Sequence, residues 1–279
     1  MRPQDYERYF WILALGLFAF QVVYLAITPF DLAPDEAYYW GWSKRLALGY
    51  YSKPPLVAWI IWLTTKIGGD TPFFVRLAAP FFSLGCAIVI FYLAKGLFDS
   101  RVGFWAFLLA SSTPGSPVGA LIMTIDPPLV FFWAFTIFLL YQAIKTERKK
   151  YWWLASLTLG AGLLSKYTMV AIIPSLFIYL AFSPQRRYLL KRKEPYLWVA
   201  LGLLILSPTL YWNYLHDWIS FHHTASFVEK RGINPFTFLE FVGTQFGLLS
   251  PLTFLIIIYG LLQGIKKGIK GGDERYLFL

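Results

Sequence analysis

The segment FWILALGLFAFQVVYLAITPF, Phe10–Phe30, carries no charged side chain and follows Arg2 and Arg8. A bilayer's hydrocarbon core is roughly 30 Å thick, and about 20 apolar residues at 1.5 Å each span it as a helix. The run is longer than a signal-peptide core and has no small-x-small cleavage site, so it reads as a retained signal anchor. The pattern then repeats along the chain. Tyr9–Pro29 is followed by candidate spans at Thr71–Ala94, Val102–Met123, Pro127–Ile144, Trp152–Ser165, Tyr167–Phe182, Tyr196–Tyr214 and Phe246–Gly264. Composition agrees: 57% of residues are hydrophobic and 14% charged, where soluble domains approach a quarter charged. The expected fold is all-α, a polytopic membrane helix bundle of about eight transmembrane helices. Interfacial helices are expected in the first outer loop, and residues 1–279 read as a single transmembrane domain.

The charges set the expected orientation. With a cytoplasmic N-terminus, 17 of the 25 basic residues fall in inner segments and 8 outside, as the positive-inside rule requires. The formal charge of +10 is therefore a topology signal facing anionic lipid, and no nucleic-acid partner is expected. The protein reads as multi-pass in the cell's inner membrane. The single cysteine, Cys86, permits no internal disulfide.

Three segments fit a simple span poorly. Leu56–Ile67 is apolar but short, which suits an interfacial or re-entrant helix. Val102–Met123 is interrupted by Pro114, Gly115 and Pro117, and a broken helix at membrane depth needs a cavity or protein against it. Trp152–Ser165 is too short for the hydrocarbon core and would leave Lys166 below the outer surface. Together they predict a recessed cavity opening outward.

The candidate chemistry gathers in the outer connections, 31–70 and 215–245, which are long, as functional loops are. In Asp31-Leu-Ala-Pro34-Asp35-Glu36-Ala-Tyr38-Tyr39-Trp40, Pro34 and two acids read as the start of an amphipathic helix reaching about Leu48. The two acids fit a solvated first turn or a general base at the membrane mouth. Lys53, in Tyr50-Tyr51-Ser52-Lys53-Pro54-Pro55, fits a snorkelling lysine or a phosphate contact. Asp126, before Pro127-Pro128, fits a helix-start residue or a functional carboxylate at the bilayer boundary. Lys166 is the only charge between Lys150 and Arg186 and calls for an anionic partner. The last outer segment holds His216, Asp217, His222 and His223, then Arg231. Its histidines fit solvated or phosphate-binding groups better than a tight metal site, since no HExxH-like spacing occurs. No GxGxxG, Walker-type or Gly-x-Ser-x-Gly pattern is present.

These motifs in this order resemble the bacterial members of the protein O-mannosyltransferase and aminoarabinose-transferase group, GT-C-type membrane glycosyltransferases using polyprenyl-phosphate sugars. The resemblance runs from about Asp31 to Gly260. It rests on Asp35-Glu36-x-Tyr38, Tyr50-Tyr51-x-Lys53-Pro54-Pro55, Thr124-x-Asp126-Pro127-Pro128, Leu164-Ser165-Lys166-Tyr167 and His216-Asp217-Trp218-x-Ser220-Phe221. It implies Asp35 as catalytic base, Glu36 as its support and Asp126 as a substrate contact. Lys53 and Lys166, joined by Arg231, would bind donor phosphate, while Tyr38, Tyr51, His216, Asp217, His222 and His223 would line the substrate site.

The implied reaction is inverting single displacement onto a glycan, lipid or protein hydroxyl at the outer, periplasmic face. A divalent metal has weak support, because Ser52 stands where relatives often carry an acid. Family members usually continue through further helices and an outer domain, so the chain reads as a short homologue, a truncation or half of a split enzyme. The alternatives are a lipid-carrier transporter or flippase, or an inactive truncated homologue.

Overall fold

The computed structural model describes residues 2–231, 235–270 and 273–278. They are helical, with no strand among the described residues. Helix α1 (Pro3–Ile27) is the first apolar run; Pro3 opens it, and Asp5 accepts the Arg2 N–H. Two short helices follow, α2 (Pro34–Ser43) and α3 (Leu56–Gly68). Helix α4 (Pro72–Arg76), capped by the Thr71 hydroxyl, leads into α5 (Ala78–Leu97). The Pro114–Pro117 region divides α6 (Ser100–Ser111) from α7 (Gly115–Leu121), as its prolines and glycine predict. Then come α8 (Asp126–Thr146), α9 (Lys149–Ser165), a 3-10 turn (Tyr167–Ala171) and α10 (Ile172–Phe182). Helix α11 (Glu194–Leu215) precedes α12 (Ile219–Arg231), α13 (Pro235–Leu249), α14 (Pro251–Ile265) and α15 (Glu274–Phe278).

Four of these elements are long and apolar enough to cross a bilayer: Pro3–Ile27, Pro72–Leu97, Asp126–Thr146 and Glu194–Leu215. A fifth is obtained if the α13–α14 pair counts as one span, but that pair bends by 109°. The expected straight span Phe246–Gly264 is thus broken. Pro251 has no N–H to continue a helix, and Ser250 turns into positive φ (64°) and caps α14 by accepting the Thr253 N–H. The expected loop 215–245 is largely helical, and the amphipathic helix expected to reach Leu48 stops at Ser43.

Packing joins these helices in three apolar clusters. One lies between α1, α5 and α6, where the Phe10 and Phe91 rings stack at 4.1 Å and Phe107 closes edge-on. A second, on α8 to α11, includes Leu139, Leu159, Leu163 and Trp198. A third, with Tyr39, Val57, Ile61, Val75 and Met123, lies beneath α2 and α3 and is the floor of the site described below. Several polar side chains inside the bundle are satisfied locally, although Trp198 Nε1 and Thr209 Oγ1 are buried without a partner among the described residues. Thr136 donates to Thr158 across α8 and α9 at 2.8 Å. Within α11, Pro208 cannot serve the Leu204 carbonyl, and the Ser207 hydroxyl donates to it instead at 2.8 Å.

Helices α9 and α11 approach through glycine. A Cβ on Gly160 would sit 2.6 Å from Ile205 Cβ, and one on Gly202 would sit 2.5 Å from Leu159 Cδ2. Small residues at such crossings let helix backbones close up, which is how membrane helices gain packing energy. Gly160→Val should cost about 1–3 kcal/mol through overpacking, read as a lower unfolding midpoint in detergent. Gly16→Val, where nothing lies within 4 Å of the added carbon, should leave that midpoint unchanged. Equal midpoints for the two variants would overturn this packing.

Candidate functional site

The carboxylate of Glu36 is fully buried near the start of α2. It accepts the Ala33 N–H at 3.0 Å, which ties down the first turn. It also accepts Arg76 Nε at 2.9 Å and Arg76 Nη2 at 2.7 Å, and the Met123 N–H at 3.0 Å. Arg76, itself buried, spends its remaining donors on the carbonyls of Phe30 (3.0 Å) and Asp31 (2.7 Å). A buried pair of this kind needs such hydrogen bonds, and each of the three guanidinium nitrogens makes at least one; deleting one partner alone typically costs about 3–5 kcal/mol. Glu36 therefore does not face the open site beside Asp35, as a second first-turn acid would. Successive helix residues point about 100° apart at 3.6 residues per turn, so a buried Glu36 leaves Asp35 exposed.

Arg76 was not among the sequence candidates. The signal for it was its isolation inside an apolar run, which by itself demands an anionic partner. That partner lies 40 residues away, and only the folded chain brings them together.

Asp35 shares its end of the bundle with three other charged side chains. Asp126 opens α8 and is exposed; Lys166 caps the short α9 and donates to it at 2.9 Å. Half-buried Lys53 feels Lys166, Asp126 and Asp35. Burial first, and then the Lys166 charge, push its pKa below the usual lysine value, while the two carboxylates oppose that shift. Tyr39 lies beneath the group; burial, then the charges of Asp35 and Asp126, hold its phenol well above the usual tyrosine range. Two cations and two carboxylates thus lie within electrostatic reach, and the Asp126–Lys166 pair is exposed enough to exchange partners.

The 44–55 segment that carries Lys53 is held from several sides. The Tyr50 ring stacks on Trp42 at 4.5 Å, and its hydroxyl accepts the Ala47 N–H and bonds to the Trp42 and Arg45 carbonyls. Trp59 donates to the Ala47 carbonyl, and Ser220, at the start of α12, donates to the Tyr50 carbonyl at 2.6 Å. Gly49 is needed here, since a Cβ would meet the Trp212 ring at 2.4 Å. Asn213 links Tyr167, whose hydroxyl it reaches at 3.2 Å, to the Ser220 N–H at 3.3 Å. Ser220 entered the sequence reading only as part of the His216–Phe221 motif, with no role, and Asn213 was not singled out. Their types are common, and only their burial marks them.

The histidines do not converge. His216 stacks on Trp212 at 4.0 Å with Nδ1 against that residue's carbonyl, whereas His223 packs against Tyr51 at 4.6 Å. His222 is exposed, as is Asp217, which with Trp218 turns the chain through positive φ between α11 and α12. Tyr38 is exposed and leans on Trp42 at 4.5 Å. The Arg231 side chain lies outside the described residues. Among the described residues no three of His, Cys, Asp and Glu group as a metal would require.

An apolar cavity of about 390 Å³ adjoins the charged group. Its walls come from α5, α6, α7 and α8, including Phe82, Ile90, Ala110, Gly119 and Val130, and Asp126 stands in its lining. A carboxylate–lysine pair thus meets an apolar cavity beside a broken helix, an arrangement suited to a molecule with a charged head and a hydrocarbon tail.

Comparison with known proteins places this architecture. The chain is 32% identical over 270 residues to the lipid A galacturonosyltransferase RgtD of Rhizobium johnstonii, covering 95% of this chain and 55% of that protein. It is 24% identical to the undecaprenyl phosphate-alpha-4-amino-4-deoxy-L-arabinose arabinosyl transferase of Pectobacterium carotovorum, over 88% of this chain and 48% of that one. The crystal structure of apo ArnT from Cupriavidus metallidurans superposes with a TM-score of 0.70 at 20% identity, over 96% of this chain and 52% of that one. The chain spans about half the length of the curated relatives it matches. The family model for dolichyl-phosphate-mannose-protein mannosyltransferases matches residues 52–212, more than half of the sequence. The chain belongs to that family of glycosyltransferases.

Proposed function

We propose that this chain carries the active site of a membrane glycosyltransferase that moves a sugar from a polyprenyl-phosphate donor onto an acceptor hydroxyl. The observation that carries the reading is the meeting of exposed Asp35, Lys53 and the Asp126–Lys166 pair beside an apolar cavity. Asp35 takes the proton of the acceptor hydroxyl, whose oxygen forms the new bond to the anomeric carbon. The bond from that carbon to the phosphate oxygen breaks, and the departing phosphate keeps the electron pair, with inversion at the carbon. Lys53 and Lys166 stabilise the charge on the leaving phosphate, as positioned cations do, with Arg231 as a further basic group. Asp126 holds Lys166 until the phosphate arrives and then contacts the sugar or acceptor.

Tyr38, Tyr51, His216, Asp217, His222 and His223 surround the substrate head groups. The apolar cavity takes the first part of the polyprenyl chain. The relatives' names favour a lipid A hydroxyl as acceptor. The site faces the periplasm and the N-terminus the cytoplasm, in keeping with the basic bias of the opposite connections. The shorter helices α6 with α7, α9, and the Tyr167–Phe182 segment complete eight crossings with the four long helices and the bent pair.

Asp35→Asn should lower kcat by about 10²–10⁴-fold, the usual worth of a general base, with donor affinity retained. Transfer assays with polyprenyl-phosphate sugars and lipid A read this directly. Equal turnover would remove Asp35 as the base, and lipid movement across vesicles without transfer by the wild type would favour a carrier transporter.

Lys53 supplies a pH signature. Its proton is held more weakly in the free protein than the usual value of 10.5, and a bound phosphate would restore it. Donor affinity should be greatest below the lowered pKa of Lys53 and fall as pH rises through it towards 10.5. Lys53→Met should flatten that fall and weaken binding by about 10- to 100-fold at neutral pH, the worth of a hydrogen bond to a charged group. Titration of polyprenyl phosphate binding against pH checks both outcomes.

A further inference from the structure

We propose that the buried Glu36–Arg76 pair is the positioning device of the site, setting Asp35 and Asp126 relative to each other; this rests on the reaction proposed above. Three segments distant in sequence meet on one carboxylate. They are the first turn of α2 through Ala33, the junction of α4 and α5 through Arg76, and the α7–α8 link through the Met123 N–H. Asp35 is the residue before Glu36, and Asp126 is three residues after Met123. The path between the two exposed carboxylates therefore runs through a single side chain that is itself 0% exposed. Arg76 also fixes the chain entering α2, by donating to Phe30 and Asp31. Its fork sets direction as well as distance, since Nε and Nη2 both engage Glu36.

Cohesion alone does not require a charge here. The surrounding cluster of Tyr39, Val57, Val75 and Met123 is apolar, and well-packed apolar residues commonly replace buried ion pairs without loss of stability. What an apolar pair lacks is directional hydrogen bonding to the α7–α8 link. Misplacement by about 1 Å between catalytic groups can cost about 100-fold in rate, so loss of that bond should be felt in turnover.

The test compares wild type, Arg76→Lys and the double variant Glu36→Leu/Arg76→Met, which removes the acceptor of the Met123 N–H. The double variant leaves no uncompensated charge buried, so it is the form expected to fold; unfolding midpoints establish that it does. Positioning predicts that its kcat falls by about 100-fold while the donor KM stays within about threefold, with Arg76→Lys intermediate. A folded double variant with wild-type kcat would overturn the proposal.

A second measurement does not depend on the reaction. Spin labels at Gly41→Cys on α2 and Val118→Cys on α7, both exposed positions, are read in a Cys86→Ser background. They should give one narrow distance distribution with the pair intact and a broad or shifted one in the double variant. An unchanged narrow distribution would overturn the positioning role. A wild type that transfers no sugar would instead overturn the proposed reaction, with the distance measurement still deciding the role of the pair.

Discussion

An ionised side chain at the edge of a hydrocarbon layer is tolerated only where protein groups replace the water it has lost. Much of this architecture follows from how that requirement is met at Glu36. Its carboxylate takes the first turn of α2, the Arg76 guanidinium at the end of α4 and the backbone of the α7–α8 link. Those are the places where regular membrane helices give way to short or broken ones. The irregular backbone persists because a buried charge and its donors hold it, with Arg76 answering the carbonyls of the segment before α2.

The charges divide into two kinds. Glu36 and Arg76 are enclosed and mutually satisfied, with little left to offer a ligand. Asp35, Asp126, Lys53 and Lys166 are exposed or half-buried, and Lys53 bears a burial penalty that an arriving anion would relieve. The closed pair suits a scaffold and the open group suits binding. Between them lies Tyr39, buried enough for its phenol to stay protonated beside two carboxylates. The apolar cavity next to Asp126 gives the open group a neighbour that accepts hydrocarbon, the combination a lipid-linked substrate needs.

Long apolar runs such as Phe10–Phe30 were legible because a 20-residue run has one stable solution in hydrocarbon, a helix. The break at Pro114–Pro117 and the short helix from Leu56 were legible for the same local reasons, missing N–H groups and limited length. The kink at Ser250–Pro251 and the early stop of α2 at Ser43 were missed. The run Phe246–Gly264 stays apolar across Pro251, a local break signal that the sequence reading passed over, and the backbone geometry gives the size of the bend. Within the site, the motif pattern brought out Asp35, Lys53, Asp126 and Lys166. It made Asp35 the base and Glu36 its support without showing that Glu36 is enclosed, and it assigned no role to Arg76, Asn213 or Ser220.

By itself the sequence determined the class of solvent, the helical architecture and the family, because these depend on composition, local periodicity and the order of short motifs. Tertiary structure alone decided which carboxylate is enclosed and which is open. That choice depends on Arg76 and Met123, 40 and 87 residues along the chain from Glu36. No local rule carries such a pairing, since a carboxylate's role is set by the donors that surround it after folding.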